Sequence, residues 1–203
     1  MTTVTGIPSA QKRQAILDAA IEAFLRSGYG ASVDDIAATA GVGKQTVYRH
    51  FGDKQALFIA ALAAARDTVG QAAARPAPDT GDPLDDLTRL GERILASALS
   101  PTLAALHRLT IAEVVNHPEL GRHWGDSAAP QLDDELTAYL RRCGEAGTLH
   151  VPDPARAARQ FAYLLITEGR VASAYGTRPL TARRRKAIAE DTADLIVRAH
   201  RQT

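Results

Sequence analysis

The chain has 203 residues, 45 % apolar and 23 % charged, ordinary proportions for a globular protein that exclude collagen-like repeats, low complexity and wholesale disorder. Its 24 basic and 23 acidic side chains leave a net charge of +1, which neither marks nor excludes a nucleic-acid partner, because a basic face can sit in a neutral chain. With one cysteine, no signal-like apolar segment at the start and no apolar run near the ~20 residues of a membrane span, the expectation is a cytoplasmic protein with no disulfide and no membrane contact.

Valine and isoleucine nowhere alternate with polar residues over a strand's length, while three-and-four spacing recurs, so the predicted fold class is all-α. The first helix starts at Ser9 and stripes Ile16, Leu17, Ala20, Ile21 and Phe24, with Gly28 at a left-handed C-terminal position. Ser32 caps a short second helix, with Asp35 as a capping-box partner, and Gly41 ends it. The third covers Lys44 to His50, and Asp53 caps a longer fourth carrying Leu57, Phe58, Ala61, Leu62 and Ala65. Ala74 to Gly81 reads as a linker, and the composition shift places the end of the first bundle near Arg66 to Gly70. Pro83, Pro101, Pro118 and Pro154 each sit at a plausible first helical position, whereas Pro130 is expected to kink or split a helix. A final helix follows Thr181, giving about nine in all, a small bundle first and a larger one after.

Ser32 to Phe51, SVDDIAATAGVGKQTVYRHF, has the form of a helix-turn-helix. Gly41 permits a positive φ at the turn, Ala37 lets the helices cross closely, and Ile36, Ala40, Val42 and Val47 face inward. Lys44, Gln45, Tyr48 and Arg49 are then left outward, suited to base edges and phosphates in a major groove. Lys44 and Lys54 both fall in the first turn of a helix, where the macrodipole disfavours a cation and a nearby phosphate would reverse that balance.

Residues 12–57 resemble the N-terminal DNA-binding domain of the TetR family of transcriptional regulators, on AILDAAIEAFLRSGY, the SVDDIAATAGVGKQTVYRHF core and GDKQALF. LHRLTIAEVVNHPEL is similar to the AefR-like subgroup of C-terminal domains. The resemblance implies a DNA-binding domain at 9–55 and a ligand-binding and dimerisation domain at 56–203. It further implies a homodimeric repressor on a palindromic double-stranded DNA operator, released by a small hydrophobic inducer. By position, Ser32, Thr46, Tyr48, His50 and Lys54 resemble phosphate contacts, and Lys44, Gln45 and Arg49 resemble base-reading ones.

In the second domain Leu103, Leu106, His107, Trp124 and Glu168 are candidate ligand contacts, since bundle ligands sit between helices. The apolar surplus of Phe161, Leu164, Leu165, Ile188, Leu195 and Ile196 reads as a dimer interface on the last two helices. Arg183 to Lys186 reads as a solvated face, and Cys143 as a half-buried helix-end residue. His107, His117 and His123 lack metal-ligand spacing, so neither metal nor cofactor is expected. The competing class is an all-helical small-molecule-binding protein or enzyme without a DNA role. No nucleophile elbow, phosphate loop or dinucleotide fingerprint supports catalysis, so the expectation is a non-enzyme.

Overall fold

The computed structural model describes residues 9–73, 79–118, 120 and 130–201, and no strand occurs among them. Nine α-helices are described: α1 (Ser9–Ser27), α2 (Val33–Thr39), α3 (Lys44–Phe51), α4 (Lys54–Ala73), α5 (Pro83–Ala98), α6 (Pro101–Glu113), α7 (Pro130–Glu145), α8 (Pro154–Ala172) and α9 (Ala182–Ala199). They form two compact units. The first holds the described residues up to Asp67 with those from Ala105 to Leu120; the second holds Thr68–Ala104 and residues from 130 onward. The expected linker residues 74–78, and Trp124 and His123, lie outside the described residues.

In the first unit α1, α2 and α3 pack around Ile16, Leu17, Phe24, Ile36 and Val47, joined by Leu57 and Phe58 of α4. Phe58 meets Phe24 edge-on at 4.9 Å between ring centroids, a favoured aromatic geometry. Gly28, at φ 65, turns the chain out of α1 as expected, against Leu109 of α6.

In the second unit α5, α7, α8 and α9 enclose Leu87, Leu90, Ile94, Leu140, Phe161, Leu165, Ile188 and Ile196. Helix α5 lies very close to α9: a Cβ on Gly91 would stand 3.0 Å from the Ala189 Cβ and 3.3 Å from Phe161. Asp82 and Asp153 cap α5 and α8, each followed by proline at the first helical position, and Thr181 caps α9. Pro130, expected to kink or split a helix, stands at the first position of α7, where its missing N–H costs no intrahelical bond. Cys143 is not half-exposed but buried in this core, one turn from Tyr139.

A buried polar knot ties the start of α5 to α7. The Asp86 carboxylate, 1 % exposed, accepts from the Thr80 N–H (3.0 Å) and hydroxyl (2.9 Å) and from the Tyr139 hydroxyl (3.0 Å). Burial first, then Cys143 and Asp86, pushes the Tyr139 phenol far above its ordinary range, so it stays protonated and donates.

Candidate nucleic-acid interface

The Ser32 hydroxyl accepts from the Asp34 N–H at 3.1 Å and starts α2. This is one residue short of the capping box expected with Asp35. Asp34 and Asp35 stand in the first turn of α2, where the dipole favours carboxylates. Helix α2 ends in a Schellman turn, with the Gly41 N–H donating to the Ala38 carbonyl (3.1 Å) and the Val42 N–H to the Ala37 carbonyl (3.0 Å). Gly41 takes φ 66, which a side chain would strain. Gly43 then starts α3 without a side-chain cap, Gly52 closes it at φ 81, and the Asp53 carboxylate accepts from the Ala56 N–H (2.7 Å) to open α4.

This geometry sorts α3 by face. Val47 and Phe51, one turn apart, are buried. Thr46 and His50 are half-buried at the flank, while Lys44, Gln45, Tyr48 and Arg49 form one exposed stripe. Ser32 is exposed nearby in sequence, and Lys54 is half-buried.

The candidate DNA-contacting side chains differ in what already holds them. Lys44 Nζ donates to Asp34 Oδ2 at 2.9 Å, and this bond holds the ammonium above its ordinary pKa. Lys54 Nζ stands 5.1 Å from the centre of the Tyr29 ring. The Ser32 hydroxyl is engaged in its cap. By contrast, Gln45 and Arg49 have no side-chain partner among the described residues, leaving their donors for an external ligand. Sequence reasoning missed the Asp34–Lys44 bond, the contact of Lys54 with the Tyr29 ring, and Arg13 of α1, whose guanidinium lies 5.2 Å over the Phe51 ring. A carboxylate ten residues before a lysine gives no periodic signal. Only the helix-turn-helix geometry brings the pair together.

The other predicted residues divide between the units. Leu106 and His107 are buried in the first; Leu103, also buried, belongs to the second, as does Glu168. Glu168 is exposed and bonded to Arg184 at 3.3 Å, in a groove with Leu164 and Leu195. Phe161, Leu165, Ile188 and Ile196 are covered within their own unit, which leaves Leu164 (46 % exposed) and Leu195 (53 %) as the members a second copy could meet. Tyr163 and Val171 extend that groove. Of the basic run opening α9, Arg185 donates to the Leu180 carbonyl (2.7 Å) and Lys186 pairs with Glu190 (3.4 Å).

Residues 16–61 match the family described as bacterial regulatory proteins, tetR family, and residues 85–202 match the AefR-like transcriptional repressor C-terminal domain. The chain is 31 % identical to the HTH-type transcriptional regulator AcrR of Shigella flexneri over 119 residues, 58 % of this chain and 54 % of that one. It thus spans about half of that relative's length. With the HTH-type transcriptional repressor AcnR of Corynebacterium efficiens it shares 27 % identity over 155 residues, 76 % of this chain and 77 % of that one. Among solved structures, a TetR-family transcriptional regulator from Mesorhizobium loti superposes with a TM-score of 0.79 at 25 % identity, covering 97 % of this chain and 100 % of the other.

Proposed function

Because this chain belongs to the TetR family of bacterial transcriptional regulators, we propose that it is a DNA-binding repressor that acts as a homodimer on a palindromic operator. The observation that carries this reading is the exposed stripe of α3 with uncommitted Gln45 and Arg49 at its centre. Amide and guanidinium groups of this kind pair bidentately with adenine and guanine edges in the major groove. Lys44 joins them as a base reader, while Ser32, Thr46, Tyr48, His50 and Lys54 contact phosphates. The DNA-binding domain is read as residues 9–55 and the regulatory domain as 56–203. The activity is binding without turnover, and the compartment is the cytoplasm.

The second copy docks on α8 and α9 through Tyr163, Leu164, Val171 and Leu195, an apolar face flanked by the Glu168–Arg184 and Asp194–Arg198 pairs. This reading moves Glu168 from the ligand to the interface. The inducer in this reading is a small hydrophobic molecule held by the regulatory domain. It acts by preferring a state in which the two recognition helices are not one duplex turn, about 34–36 Å, apart. A coupling of ~1–3 kcal/mol corresponds to a 5- to 150-fold loss of operator affinity.

The test is a mobility-shift titration with the duplex upstream of the chain's own gene at moderate salt. Specific retardation that competitor DNA does not remove is expected. Indifference to all DNA favours the helical ligand-binding protein instead.

A further inference from the structure

The Tyr29 ring is fixed from three directions within the first unit. Phe24 of α1 stacks on it at 6.3 Å, Phe58 of α4 meets it edge-on at 5.4 Å, and His117, just beyond α6, lies 4.6 Å away. Lys54, the first residue of α4, holds its ammonium 5.1 Å from the same ring centre. A lysine there faces the positive end of the helix dipole and would otherwise be driven away from the terminus. The ring's negative face opposes that tendency and restrains a side chain with many rotamers. A restrained cation loses less conformational freedom when it meets a phosphate.

We propose that Tyr29 is a positioning residue: its ring presents the Lys54 ammonium to a DNA phosphate, and His117 on the same ring links that lysine to the segment following α6. This rests on the reading of Lys54 as a phosphate contact. It adds a residue outside the helix-turn-helix and a physical route by which displacement of that segment reaches the DNA. Tyr29 does not touch DNA in this account. It acts through Lys54.

Two measurements test it. In the free protein, the ring current should move the Lys54 ε-methylene proton resonances upfield; Tyr29→Phe should keep that shift, Tyr29→Leu abolish it and His117→Ala alter it. Resonances at ordinary lysine positions in the unaltered chain overturn the proposal without any DNA measurement. An unchanged shift in His117→Ala overturns the link to α6. On operator DNA, Tyr29→Leu should weaken binding about 2- to 5-fold. Lys54→Ala should shallow the salt slope by about one unit, and Tyr29→Leu should add no further loss in that background. Additive losses, or a loss in Tyr29→Phe equal to that in Tyr29→Leu, overturn the positioning role alone. Failure of the unaltered chain to bind any operator overturns the repressor reading itself.

Discussion

In the first unit the exposed stripe of α3 is polar and cationic, built from Lys44, Gln45, Tyr48 and Arg49. In the second, the exposed stripe of α8 and α9 is apolar, built from Tyr163, Leu164, Val171 and Leu195. The two units also fill their cores differently. Phe24, Tyr29 and Phe58 fill the gaps between the first unit's helices, whereas Gly91 and Ala189 bring the second unit's α5 and α9 together. A cationic stripe gains by meeting a polyanion and separates again as salt rises. An apolar stripe left in water is costly and stays covered once paired. The contrast suits one face that comes off its partner and one that keeps it.

The comparison can be broken first at the apolar face. Replacing Leu164 and Leu195 together by glutamate should give monomers in sedimentation and lower operator affinity by about 100-fold or more, since two linked half-sites become one. A dimer that survives the double change would place the interface elsewhere. Next is the close packing: Gly91→Leu should cost about 1–3 kcal/mol in urea unfolding, because the new side chain meets Ala189 and Phe161. The smallest effect is local. Ala174 and Tyr175 both take left-handed backbone angles, φ 47 and φ 57, in the turn after α8. Ala174→Gly should therefore stabilise the chain by about 0.5–1 kcal/mol, the strain relieved less the added entropy of the unfolded glycine. A lower melting temperature would contradict that account of the turn.

The helix starts were legible because caps are local signals. Asp53, Asp82, Asp153 and Thr181 each accept from an N–H two or three residues on, so four or five residues of sequence suffice to see them. The outward face of α3 followed from the same short range, since Val47 and Phe51 fix which way the helix turns. What escaped was long-range. Pro130 read as a kink or a split because a proline within a loosely patterned stretch does not say whether it interrupts a helix or opens one. The assignment of Phe161 and Ile188 to an interface failed to see that they meet α5, about 70 to 100 residues earlier, inside their own unit. The Asp86–Tyr139 bond spans 53 residues and has no periodic trace at all.

The central claim is that the stripe on α3 reads bases rather than merely attracting a polyanion. Fluorescence anisotropy on the upstream duplex and on a scrambled duplex of equal length, with the unaltered chain and Gln45→Ala, tests this directly. Gln45→Ala should lose ~1–3 kcal/mol on the upstream duplex and almost nothing on the scrambled one. Equal losses on both, or no loss on either, would contradict it.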